Sequence, residues 1–139
     1  MKSVLAAIAA CFALAAFLPA HQDATVVTVS ATCTEGKLGA HSVSPEDVSV
    51  AQGADVDWEL DESSNATSID VGPKHPGHWP YNNDAHFKGG HGPDHPAKGN
   101  GNAMKGNAKG KYPYNIMLSC PDGNGGSTTV TIDPNIIIH

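Results

Sequence analysis

Five of the eight histidines fall between residues 75 and 95, at His75, His78, His86, His91 and His95. Their spacing runs His-x2-His, then His-x4-His-x3-His. Neutral imidazole is a good ligand for copper, zinc and nickel, and glycine-rich backbone lets several rings converge on one ion. Asp84 and Asp94 lie among them as further ligands or as acceptors behind the rings, and Met104 offers a soft donor for Cu(I). A transition metal, most plausibly copper, is therefore the expected partner of these five residues. The competing expectation is incidental affinity, because ordering a long loop opposes tight binding. Imidazole begins to protonate below about pH 6.5, so metal held this way would be released in mild acid.

The segment carrying these histidines differs in kind from its surroundings. Residues 72–111 contain no Val, Ile, Leu or Thr, yet hold nine of the 15 Gly and five of the 10 Pro. The only large apolar side chains there are Trp79, Tyr81, Phe87 and Met104. A segment so poor in aliphatics builds no core of its own, and the expectation is a long loop insertion or a disordered excursion. Trp79-Pro80-Tyr81 reads as an aromatic pair pinning that loop to the rest of the chain. Six lysines against two aspartates give it a local charge of +4, against −11 for the remainder from residue 21 onward. That asymmetry favours contact between the two, within the reach that salt allows.

On either side of the insertion, short β-branched runs alternate apolar with polar residues. Ala24 to Val29 reads as a first strand. Val48-Ser49-Val50, Gln52-Gly53 and Val56 to Leu60 read as strand, turn and strand of a hairpin. Thr67 to Val71, Tyr112 to Leu118, Ser127 to Ile132 and Ile136 to Ile138 complete the set. No stretch beyond residue 20 keeps a helical period. The expected class is all-β, a sandwich of short strands.

Met1 to Ala20 has the make-up of an export signal, with Lys2, an apolar run from Val4 to Leu18, and Pro19-Ala20 at the cut. That leaves 21–139 as a single exported domain, periplasmic or secreted, with no stable membrane insertion. Cys11 would go with the signal. Cys33 and Cys120 would remain, most economically as one disulfide closing a long loop, with Cys120 as a thiolate copper ligand the alternative. A cut after Ala20 would also expose His21, whose amino group and ring could chelate copper together as a histidine brace.

Other classes are thinned by composition. The chain has 139 residues, a net charge of −6 and no Arg, and nucleic-acid binding is not expected. There is no Gly-x-Ser-x-Gly, phosphate loop, dinucleotide fingerprint or His-Glu-x-x-His, and no catalytic residue is assigned. Asn65-Ala66-Thr67 fits an N-glycosylation acceptor.

Val43-Ser44-Pro45-Glu46-Asp47-Val48-Ser49-Val50-Ala51-Gln52-Gly53-Ala54-Asp55-Val56-Asp57-Trp58 resembles the amino-terminal half of a cupredoxin of the plastocyanin type. Gly110-Lys111-Tyr112-Pro113-Tyr114 is similar to the strand that enters the copper loop of that family, and Ser127 to Ile132 to its closing strand. The resemblance implies a Greek-key β-sandwich. It does not carry over the blue copper ligands, two His, a Cys and an axial Met. Thr67-Ser68-Ile69 stands where the first His is expected, Ile116 stands in the place of the Cys, and Met117 precedes Cys120. The expected function is therefore non-enzymatic metal binding by the loop histidines. A structural or interaction domain without physiological metal is the alternative, and a copper oxygenase built on His21 the third.

Overall fold

The computed structural model describes residues 23–139; the expected export signal, Cys11 and His21 lie outside the described residues. The described residues form ten strands: β1 (Thr25–Thr34), β2 (Lys37–Ser44), β3 (Asp47–Val50), β4 (Val56–Leu60), β5 (Ser68–Pro73), β6 (Phe87–Gly90), β7 (Ala97–Gly99), β8 (Gly110–Pro121), β9 (Ser127–Ile132) and β10 (Asn135–Ile138). They make an all-β sandwich. One sheet has the order β2-β1-β4-β7. The other runs β3-β10-β8-β5-β6, with β9 paired to β8 beyond the reach of β10.

Strand alternation sets the core. Val27, Val29, Ala31 and Cys33 turn inward from β1, and Tyr114, Ile116, Leu118 and Cys120 turn inward from β8. Cys33 and Cys120 are bonded across the sandwich, 87 residues apart in the chain. Trp58 on β4 lies fully buried and donates its Nε1–H to the Tyr114 hydroxyl at 2.9 Å. Burial pushes the Tyr114 phenol upward, against the pull of that hydrogen bond.

One expected connection differs. Val48–Val50 and Val56–Leu60 are strands, but they do not form a hairpin. β3 runs parallel to β10 in one sheet while β4 runs parallel to β1 in the other, so Gln52-Gly53 lies in an arch between sheets. The hairpin lies earlier, where Glu35 and Gly36, both at positive φ, reverse β1 into β2.

The 72–111 insertion is ordered around short strands and turns and does not form a disordered excursion. After β5 it turns through a one-turn 3-10 segment at Asn82–Asp84 and returns as β6 along β5. It then crosses to the other sheet as β7 beside β4. β6 and β7 pack closely enough that a Cβ on Gly89 would lie 2.5 Å from the Ala97 nitrogen and 2.6 Å from the His95 carbonyl oxygen. The insertion therefore seals one side of the sandwich. It does so with aromatics in place of aliphatics: Trp79 and Tyr81 are fully buried, with ring centroids 5.1 Å apart. Phe87 stands 4.8 Å from Tyr81 and 6.1 Å from Trp58, joining the insertion to the core. The expected aromatic pin is present.

The expected charge contact is present too. Lys74 reaches Asp133 at 3.1 Å, Lys88 reaches Asp70 at 3.8 Å and Lys111 reaches Asp47 at 3.7 Å. Lys98 faces Asp57, whose carboxyl is raised by partial burial and by Asp55, with Lys98 opposing the rise. These pairs are exposed, so each contributes less than about 1 kcal/mol and the aromatics carry the attachment.

Candidate functional site

The five histidines lie on three different parts of the insertion. His75-Pro76-Gly77-His78 is a tight turn, closed by the His78 N–H donating to the His75 carbonyl at 3.0 Å, with Gly77 at φ 77°. The first and fourth residues of such a turn are brought together. The Gly77 N–H donates to Asp84 Oδ2 at 2.9 Å, and the His78 ring packs 5.0 Å from that of Tyr112.

His86 stands on the outer face of the β5–β6 pair. Its Nδ1 is 2.8 Å from Asp70 Oδ1. The ring lies over Gly72, where a Cβ would come within 2.6 Å of three ring atoms. Lys88, two residues on, shares the same carboxylate. His91 turns away, and its Nε2–H donates to the Ser64 carbonyl at 2.6 Å. His95 contributes through its backbone, accepting from the Gly90 N–H at 2.8 Å.

Strand and turn geometry thus direct the rings to separate partners: Tyr112, Asp70 and the Ser64 carbonyl for His78, His86 and His91. Among the described residues, no three His, Cys, Asp or Glu side chains come together to hold a metal ion. Met104 is buried, and its sulfur accepts the Gly53 N–H at 3.2 Å, so it faces the fold instead of the histidines. Cys120 is half of the disulfide and not a thiolate ligand. His41 Nδ1 lies 3.2 Å from its neighbour Gly39's carbonyl oxygen, and His139 pairs with Ser49.

The glycosylation signal contains a contact that the sequence did not reveal. Asn65 accepts from the Cys33 N–H at 2.5 Å and donates to the Cys33 carbonyl at 2.8 Å. Its amide thus grips the backbone beside the disulfide as a neighbouring strand would. Glu59, Asp61 and Glu62 near it form a solvated acidic surface, where Asp61 is held low by hydrogen bonds from the Ser63 hydroxyl and N–H.

On the side away from the insertion the sandwich is open. Among the described residues, β2 pairs only with β1 and β9 only with β8. Between them lies a groove of about 300 Å³, lined by His41, Ser42, Val43 and Glu46 on one side and by Ile132, Asp133 and Pro134 on the other. Val43 and Ile132 are the half-buried apolar floor. Glu46 and Asp133 give the groove an acidic rim, the latter already paired to Lys74.

The two edges differ. β2 is interrupted by a register shift opposite Ala31–Cys33. β9 pairs without interruption from Ser127 to Ile132 and carries no charge, no proline and no glycine. Bulges, charges and prolines are the usual guards against pairing with another chain, and β9 has none of them within its length. The sequence identified β9 as a strand; that its outer edge is unpaired depends on distant β3 and β10, which no local pattern encodes.

No protein family, no curated protein and no solved structure matches this chain. Among the described residues, no helix is long and apolar enough to cross a membrane.

Proposed function

We propose that this is an exported, non-enzymatic binding domain that receives an extended protein segment along the outer edge of β9. The observation that carries the reading is the unguarded edge itself: six regularly paired, uncharged residues with one side unpaired among the described residues. A strand added there gains main-chain hydrogen bonds, and its side chains gain selectivity from adjacent pockets. The groove beside β9 suits a cationic side chain of that segment, through Glu46 and Asp133 over an apolar floor. Export is supported by the leader-like composition of residues 1–20 and by the Cys33–Cys120 bond.

Extended peptides selected from a random library against the full chain should perturb the NMR amide signals of β9 and of Val43 to Glu46. Thr129→Lys together with Thr131→Lys should weaken them about tenfold or more by placing charge on the edge. Peptides that perturb only the insertion, or that bind the double variant unchanged, would refute the reading.

One observation favours a second reading, in which the insertion binds copper, zinc or nickel. A carboxylate on one ring nitrogen of a histidine orients the other toward a metal, and the Asp70–His86 pair has that form. The His75–His78 turn offers a second chelating pair. Titration with copper or zinc should then show uptake that falls in His86→Ala and in mild acid; uptake indifferent to both would exclude His86 as the anchor.

A further inference from the structure

Asn-Gly occurs twice in the chain, at Asn100-Gly101 and at Asn124-Gly125, and the fold places the two dipeptides in opposite chemical settings. We propose that Asn124 is a spontaneous modification site, converting to aspartate and isoaspartate through a cyclic imide, whereas Asn100 is held unreactive by its hydrogen bonds and packing. The inference does not depend on the proposed binding function.

The reaction is intramolecular. The backbone nitrogen of the following residue gives its proton to solvent base and attacks the asparagine Cγ. The N–Cγ bond forms, the Cγ–Nδ2 bond breaks, and ammonia leaves. Water then adds to either carbonyl of the imide, giving aspartate in the original chain or isoaspartate with the backbone rerouted through Cγ. No electrons are transferred and water is the only co-reactant. Three structural conditions follow: the attacked amide must be unencumbered, the attacking N–H must not be held by another group, and the backbone must have room to form a five-membered ring.

At Asn100 all three fail. Its side-chain oxygen accepts from the Asn102 N–H at 2.9 Å. The attacking group, the Gly101 N–H, donates to Asp55 Oδ1 at 2.6 Å, and a carboxylate acceptor makes that proton harder to remove. Gly101 is buried against the arch between β3 and β4, where an added Cβ would fall 2.2 Å from the Gly53 carbonyl oxygen. No ring closes there without local opening.

At Asn124 all three are met. It is exposed, in the turn between β8 and β9. Asp122 organises that turn by accepting from the Asn124 N–H at 2.8 Å and the Gly126 N–H at 2.9 Å, which leaves the intervening Gly125 N–H outside its grip. Among the described residues, neither the Asn124 side-chain amide nor the Gly125 N–H hydrogen-bonds a protein group. A Cβ on Gly125 would meet nothing within 4 Å, so the ring has space on the solvent side.

The test uses the folded full chain, incubated at mildly alkaline pH and sampled over time by peptide mapping. Mass spectrometry follows exchange of the side-chain NH2 for OH, and fragmentation separates isoaspartate from aspartate. The same incubation in denaturant with the disulfide reduced provides the reference, because both sites are then followed by glycine in an unfolded chain. In that reference the two rates should be similar. In the folded protein Asn124 should keep a rate near the reference, and Asn100 should react about tenfold or more slowly, because its attacking Gly101 N–H is hydrogen-bonded and buried and must first open. Equal rates at the two sites in the folded protein, or an Asn124 as slow as Asn100, would overturn the assignment.

Discussion

Trp79→Ala should destabilise the protein by about 3–5 kcal/mol, the range for removing a large aromatic side chain from a core. Trp79 is fully buried, donates its Nε1–H to the Ala85 carbonyl at 2.9 Å, and touches Tyr81, Phe87 and Tyr114. Tyr114 ties the insertion to β8 in one sheet, and Phe87 passes the contact on to Trp58 on β4 in the other. The loss should therefore be larger than for deleting any one lysine–aspartate pair of the same segment. Chemical denaturation of Trp79→Ala beside Lys74→Ala measures both. Equal small effects would mean that the insertion rests lightly on the sandwich.

The second large effect concerns the disulfide. Replacing Cys33 and Cys120 together with alanine should cost about 4 kcal/mol in the chain-entropy treatment of so long a loop. Both sulfurs lie inside the core, Cys120 completely, so the paired substitution also leaves a small void. The clamp from Asn65 onto the Cys33 backbone should persist and keep β1 in register. Reductant should lower the wild-type unfolding midpoint toward that of the double variant. A midpoint unmoved by reductant would show that the bond contributes little.

Strands with regular alternation were legible in the sequence. Val27, Val29 and Ala31 in β1, and Tyr114, Ile116 and Leu118 in β8, bury alternate residues as the pattern demands. β2 was not legible, because Leu38-Gly39-Ala40-His41-Ser42-Val43 keeps no period across its irregular pairing with β1. The Gln52-Gly53 turn signal was real, but pairing is settled by distant strands. Ile136 to Ile138 capture β3, and Val26 to Val29 capture β4, so the turn becomes an arch.

The insertion shows the limit more sharply. Its composition announced a segment without a core of its own. Only the fold shows Trp79, Tyr81 and Phe87 completing the core of the sandwich. Clustering of histidines along the chain likewise says little about convergence in space. β6 pairing places His86 beside Asp70, and the following turn sends His91 to Ser64. The disulfide needed no such global information: with Cys11 inside the expected export signal, Cys33 and Cys120 were the one pair left.

Through β6, β7 and its buried aromatics the 72–111 segment is a built part of the sandwich, which moves the search for a partner to the open β9 edge. Amide hydrogen exchange of β6 and β7 in chelator-treated protein tests it most directly. Slow exchange is expected across Phe87–Gly90 and Ala97–Gly99, comparable with that of β5, with little change when copper or zinc is added. Exchange at unprotected rates that becomes slow only with metal would contradict it, and would make the histidines the organising centre of the segment.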